Sequence, residues 1–443
     1  MHEPHETTPT AISDPDGAPW WRGLTGYQWF VFLVASLGWL FDTMDQQLFN
    51  LARKPAVAEL LGSGSGAAVP EADVSYYSGL TTSIFMIGWA TGGIFFGVLG
   101  DKIGRAKTMM MTILAYSAFT GLSAISSGVW DFAAYRFLTG LGVGGQFAVG
   151  VALVAEVMSD RARPHALGWL QALSAVGNMM AAVIGISLGR MQEAGVVASS
   201  WRTMFVVGLL PALLALPVFL KLREPDRWKA AVRKEEEDGA GPDQAPKAGS
   251  ISELFTDPRW RRNTIVGMVL AFAGVVGLWG IGVFSNDLSQ TVLRKHFEAE
   301  GLAGKELAGK LAFWAGITLL MFNLGAFFGI QGFSMLTHRI GRRPAFAISF
   351  VLAGLFTALS FWVLNEFWQI FVFVPLMGFF QLSLFGGYAI YFPELFPTRL
   401  RSTGISFCYN VGRFVAASGP LALGMLTSVV FKDYPEPMRY AGI

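Results

Sequence analysis

The sequence predicts an all-α polytopic membrane protein built from a duplicated unit, and three observations carry that prediction. Of the 443 residues, 53% are hydrophobic and only 14% charged, where a soluble domain carries about a quarter charged residues. The apolar residues gather into stretches long enough to cross a hydrocarbon core about 30 Å thick as helices. The chain also repeats itself. Gly88 and Gly92 lead into Gly100-Asp101-Lys102-Ile103-Gly104-Arg105, and Gly325 and Gly329 lead into Thr337-His338-Arg339-Ile340-Gly341-Arg342, each matched pair 237 positions apart. A second echo sets Glu156, Arg161 and Arg163 against Glu394, Arg399 and Arg401 at an offset of 238. In each copy an apolar segment dotted with glycine runs into a short basic turn, the mark of a duplicated bundle.

Taken in order, residues 1–26 are polar, carry Glu3, Glu6, Asp14 and Asp16, and lack the cationic start and short apolar core of a secretory signal. They read as a cytoplasmic tail, with the first span as an uncleaved insertion signal. Spans follow near 27–50, 76–99, 107–127, 130–157, 165–188 and 203–221, so that residues 27–221 form an N-terminal six-helix bundle. Residues 222–262 contain Glu235-Glu236-Glu237-Asp238 and a Gly/Pro/Ala run, and read as a solvated cytoplasmic linker rather than a domain. Beyond it come spans near 263–286, 310–336, 343–364, 366–391 and 403–430, a C-terminal bundle of five within 263–430. Residues 431–443 are too short and polar to span. The count is eleven, and the sixth span of the first half has no counterpart in the second.

Loop cations set the orientation. With the N-terminus inside, the cytoplasmic tail and loops hold 21 Lys and Arg against 10 on the other side. The net charge of +2 favours neither a nucleic-acid nor an acidic partner. The one cysteine, Cys408, excludes an intramolecular disulfide and a cysteine metal cluster. No Gly-x-x-x-x-Gly-Lys-Ser/Thr loop occurs, which disfavours ATP-driven transport by this chain alone.

Gly97-Val98-Leu99-Gly100-Asp101-Lys102-Ile103-Gly104-Arg105-Ala106-Lys107 resembles the loop signature between the second and third spans of the major facilitator superfamily, and His338 to Arg343 sits where that family keeps its second copy. Arg136-Phe137-Leu138-Thr139-Gly140-Leu141-Gly142, followed by Glu156, Arg161 and Arg163, is similar to the fourth-span signature of its sugar and organic-ion branches. Pro393-Glu394-Leu395-Phe396-Pro397-Thr398-Arg399-Leu400-Arg401 is similar to their tenth-span exit. An Asp-x-x-Asp pair in span one, an Arg and a Glu twenty apart across span four, and Arg401 with Arg413 around span eleven most resemble the aromatic acid:proton symporters. That branch has Asp-Gly-x-Asp where this chain has Asp42-Thr43-Met44-Asp45. The resemblance implies two six-helix-type bundles rocking about a central site, and no cofactor beyond a proton gradient. Span five lacks the proline of the antiporter pattern, which favours symport over drug efflux.

The residues point to chemistry without the resemblance as well. Two repeated halves favour a transporter over a receptor. Asp42 and Asp45, three apart, share a helix face on the order of 20 Å from the cytoplasmic entry. A carboxylate inside hydrocarbon must be paired or protonated, which suits a proton carrier; the competing role is a cap at the outer interface. Arg136, two turns into span four, needs an acid, and Asp42 or Asp45 is the nearest. Arg413, halfway down span eleven, has no acid in its own span, so a substrate carboxylate is its predicted partner. Glu156 with Arg161, Glu394 with Arg399, and Asp101 with Arg105 and the N-terminus of the next helix read as charge networks that lock the inner gate. In the second copy His338 replaces Asp101, so the halves cannot make equivalent locks.

Among the neutral polar residues inside spans, Gln171, Gln381 and Tyr388 are the leading substrate-pocket candidates. Gln146, Asn178, Trp279, Asn286, Asn323, Tyr409 and Asn410 are further candidates for the pocket, with interhelical hydrogen bonding as the competing role of such residues. The expectation is a monomeric, proton-coupled importer of a small organic anion in the inner or plasma membrane, touching substrate, proton and lipid but no nucleic acid, and not an enzyme. Proton-coupled uptake of a sugar or polyol, efflux of amphiphiles, and a membrane sensor of the same fold are the alternatives.

Overall fold

The computed structural model describes residues 19–62, 69–238, 248–278, 282–416 and 430. The tail up to residue 18, Trp279, nearly all of the last predicted span beyond Ala416, and residues 431–443 lie outside them. Among the described residues every regular element is a helix. The first half comprises α1 (Gly26–Gly62), α2 (Glu71–Ile103), α3 (Arg105–Ser123), α4 (Val129–Val157), α5 (Arg163–Glu193), α6 (Ser200–Val207) and α7 (Ala215–Lys221). The sixth span is divided between α6 and α7 by a 3-10 turn over Leu210–Leu214, where Pro211 removes a backbone donor.

After the sixth span come α8 (Asp226–Asp238) and the short α9 (Glu253–Thr256), then α10 (Pro258–Val276), α11 (Gly282–Ala299), α12 (Gly304–Ile340), α13 (Arg342–Val363), α14 (Phe367–Leu395) and α15 (Arg401–Ala416). Where they are described, the predicted spans fall largely on helix, and seven of these segments are long and apolar enough to cross a membrane. The molecule is an all-α membrane protein of two helix bundles that meet where α5 packs on α12 and α2 on α15.

The repeat has a geometric cause at two levels. The basic turns place Gly104 at φ 114° and Gly341 at φ 84°, in the region that favours glycine, so that α2 can reverse into α3 and α12 into α13. Within the spans, Gly88 and Gly92 of α2 lie so close to α4 that a Cβ at either would overlap the carbonyl oxygen of Phe137 or Leu141. Gly325 and Gly329 of α12 meet the carbonyls of Pro375 and Phe379 on α14 in the same way. Small residues at such crossings let backbones touch, and dispersion between the two helices replaces the hydrophobic drive that lipid cannot supply.

One expectation fails. The linker is not merely solvated: α8 and α9 are helical, Trp228 Nε1 donates to the Asp101 carbonyl at 2.9 Å, and Glu224 accepts from the backbone N–H groups of Ala106 and Lys107, both at 3.1 Å. The charge run Glu235 to Asp238 belongs to α8, and the Gly/Pro-rich stretch 239–247 lies outside the described residues.

Gly92→Val and Gly329→Val are each expected to lower the thermal unfolding midpoint in detergent, by the equivalent of about 1–3 kcal/mol of overpacking. Gly150→Ala, with nothing within 4 Å of its Cβ position, should leave the midpoint unchanged. A wild-type midpoint for Gly329→Val would mean that the α12–α14 crossing tolerates a side chain.

Candidate functional site

A cavity of about 1490 Å³ lies between the bundles. Its deepest wall holds Trp89, Gln171, Tyr409 and Arg413, and it reaches outward to the exposed Lys54, Tyr76 and Lys310. It therefore opens at the end where α1 finishes and α2 begins, opposite the end carrying the two basic turns.

Arg413 is fully buried on this wall. α15 places it one turn past Tyr409, whose carbonyl accepts from its Nη1 at 3.0 Å, and the Asn410 Oδ1 accepts from the same nitrogen at 2.8 Å. The guanidinium stacks between the rings of Trp89, 4.0 Å away, and Tyr409, 4.2 Å away. Its Nε has no hydrogen-bond partner, and no carboxylate among the described residues lies within ion-pair distance. Asp42 is within electrostatic reach.

Behind the wall, in the first bundle, α1 buries both Asp42 and Asp45 completely. Gln46, one turn on from Asp42, donates to its Oδ2 at 3.1 Å, while Oδ1 is unpartnered. Asp45 accepts no hydrogen bond and lies 4.0 Å from Arg136 Nη1. Arg136 is anchored instead by Ser123 Oγ, at 3.0 Å from Nε and 2.6 Å from Nη2, and is flanked by the rings of Phe205 and Phe49. The acid beside Arg136 is thus Asp45, and Asp42 is the one within electrostatic reach of the cavity cation.

The opposite end is shut by one buried network. Arg105 Nη2 lies 2.8 Å from Asp101 and 3.0 Å from Glu156, all three essentially without exposed side chain. Arg401, from the second bundle, also reaches Glu156 at 3.0 Å. Asp101 does not face the start of α3, as the sequence suggested. It accepts from the backbone N–H groups of Ser402 and Thr403, at 3.2 and 2.8 Å, and from the Thr403 hydroxyl at 2.7 Å, so it caps α15 across the bundle boundary. Glu224 takes the α3 N-terminus instead.

The second copy is weaker. Arg342 pairs with Glu394 at 2.7 Å, with both side chains partly exposed. Arg399 pairs with Glu253 of α9 rather than with Glu394, and Arg161 sits on the turn after α4. His338 stacks on His165 of α5, centroids 4.2 Å apart, where Asp101 in the first copy makes hydrogen bonds.

Of the predicted pocket residues, Gln171 lines the cavity. Asn178 does too, and bridges the bundles by donating to Asn323 at 2.9 Å. Gln381 and Tyr388 are corrections: neither lines it. Gln381 donates to Thr357 at 2.7 Å, and Tyr388, packed against Gly274 and Phe392, donates to the Leu270 carbonyl at 2.7 Å. Gln146 accepts from Thr112 at 2.6 Å within the first bundle, and nothing is described of the Asn286 side chain. Sequence reasoning missed Gln46, Trp89, Ser123 and Glu224. Helical spacing from Asp42 points to Gln46; no sequence signal singles out Trp89, which meets Arg413 only through the fold.

The family profile described as "Sugar (and other) transporter" matches residues 24–254 and 266–417. A protein of Cupriavidus pinatubonensis described as a probable 4-methylmuconolactone transporter is 27% identical over 92% of this chain and 86% of its own length. The cis,cis-muconate transport protein of Acinetobacter baylyi is 28% identical, covering 90% of this chain and 87% of the relative. In structure, the major facilitator superfamily proton:xylose symporter XylE, bound to a bromodeoxyglucose, superposes with a TM-score of 0.66 over 94% of this chain and 92% of that one, at 16% identity.

Replacing Asp101 by Asn removes a charge from Arg105 and weakens the cap on α15, at a cost of about 1–3 kcal/mol to the closed end. In a Cys408→Ser background carrying Ser83→Cys on the cavity wall, alkylation by a soluble maleimide should slow severalfold as the population shifts away from the state that exposes the cavity. An unchanged rate would mean that the network does not hold that end shut.

Proposed function

This chain belongs to the sugar (and other) transporter family of the major facilitator superfamily, and we propose that it is a proton-coupled importer of a small organic anion. The observation that carries this reading is Arg413. A buried guanidinium on the wall of the central cavity, with an unpartnered Nε and no carboxylate within ion-pair distance among the described residues, matches a substrate carboxylate in charge and in hydrogen-bonding geometry. The rings of Trp89 and Tyr409 offer flat apolar faces beside it for a conjugated or aromatic body, and Gln171 offers an amide. The relatives described as a probable 4-methylmuconolactone transporter and a cis,cis-muconate transport protein are named for compounds of this kind.

Coupling follows from the placement of Asp42. An ionised Asp42 and an anionic substrate compete for the field of one cation, so neutralising Asp42 with a proton leaves Arg413 to the substrate. Proton and anion then favour each other's binding, which is the linkage that symport requires. Asp45 and Arg136 form a second acid–base pair in the same bundle, whose separation of 4.0 Å leaves room for a change in protonation to alter it. The buried network around Arg105 serves as the inner gate, joined on the second half by Arg342–Glu394 and Arg399–Glu253. The excess of loop cations supports a cytoplasmic position for that end, in a monomer of the inner or plasma membrane.

In proteoliposomes with an imposed inward pH gradient, accumulation of cis,cis-muconate or benzoate but not of xylose is the expected result; xylose uptake with indifference to the acids would replace this reading with sugar symport. Arg413→Lys should raise the KM for the acid about 10–100-fold, the loss of about 1.5–3 kcal/mol from a charged hydrogen bond, and unchanged affinity would remove Arg413 from the site. Asp42→Asn should abolish pH-driven accumulation while leaving exchange of internal for external substrate.

A further inference from the structure

We propose that a second cavity, between α10, α13 and α14 at the end carrying the basic turns, binds the phosphate headgroup of an anionic phospholipid. It encloses about 600 Å³ and is lined by Arg262 of α10 and by Arg342 and Arg343 at the start of α13. Apart from Asn263, whose amide donates to the Leu395 carbonyl at 2.7 Å, the remaining wall is apolar or aromatic, including Val266, Phe346 and Tyr391. Arg342 is already paired with Glu394. Arg262 and Arg343 are exposed and have no ion-pair partner among the described residues, so the pocket presents two uncompensated guanidinium groups.

The surroundings identify which anion fits. The helices that form the pocket continue into side chains turned away from the protein, with Val269 63% exposed on α10 and Val351 68% exposed on α13. A soluble anion would have no use for that surface, whereas a lipid would lay its phosphate on the arginines and its acyl chains along these helices. Basic pockets between helices at the level of the headgroups are suited to anionic lipids, each cation near the surface contributing about 1 kcal/mol. Tyr391, with an apolar ring and a polar tip, is a residue type favoured at that depth. The site is separate from the central cavity and does not depend on the identity of the transported substrate.

The test is native mass spectrometry of the full-length protein in detergent with added phosphatidylglycerol or phosphatidylcholine. The wild type should retain phosphatidylglycerol in preference to phosphatidylcholine. The double variant Arg262→Ala/Arg343→Ala should lose about thirtyfold of that preference, the equivalent of about 2 kcal/mol for two cations. Because both side chains are exposed and unpaired, its thermal midpoint without lipid should match the wild type, and the rise in midpoint that phosphatidylglycerol confers should be lost. The control Arg259→Ala/Arg261→Ala removes neighbouring cations outside the pocket and should keep the preference. Equal retention of both lipids by the wild type, equal loss in the control variant, or the same rise in midpoint from inorganic phosphate alone would each overturn the proposal.

Discussion

The Arg105 guanidinium draws Asp101 and Glu156 of the first bundle together where water does not reach them, and the remaining capacity of those carboxylates is spent on the second bundle. Glu156 takes Arg401, and Asp101 takes the first N–H groups of α15. A buried charge left without partners is costly, so the members of this network hold or release together. Because it joins the bundles at one end, the cavity is free to open only at the other. The orientation of the central site, the position of Arg413 at its floor and the stacking of α15 on α2 all follow from that closure.

The same network explains why the duplicated halves are not equivalent. The positions that make a buried lock in the first copy make a partly exposed pair in the second, and His338 meets His165 ring to ring instead of capping a helix. Stacked rings resist separation less than a charge-assisted cap with three donors. The two bundle contacts at this end therefore differ in strength, and the stronger couples the helix that carries Arg413 to the bundle that carries Asp42. The linker adds to the stronger side, since Trp228 binds the Asp101 carbonyl and Glu224 caps α3.

Burial accounts for the division between the two acids of α1. Both are excluded from water, yet their neighbours differ. Gln46 satisfies one oxygen of Asp42, whereas Asp45 lies 4.0 Å from Arg136, which is itself held by Ser123. A three-residue spacing puts two carboxylates on neighbouring parts of one helix face, but the surrounding helices decide which cation each one meets.

The sequence alone determined the class of fold, the helical spans, the duplication and the charged residues that matter, because hydrocarbon imposes its requirements on composition directly: long apolar runs, few charges, and a glycine wherever two helices must touch or a turn needs positive φ. Gly88 and Gly325, or Gly104 and Gly341, are legible in the chain for that reason. The tertiary structure decided what those residues face. Asp101 caps a helix about 300 positions away, Arg413 lies between Trp89 and Tyr409, and Gln381 and Tyr388 turn from the cavity into the second bundle. Each depends on how one helix is rotated against another, and a span that is apolar on nearly all sides carries too little periodicity to specify its rotation.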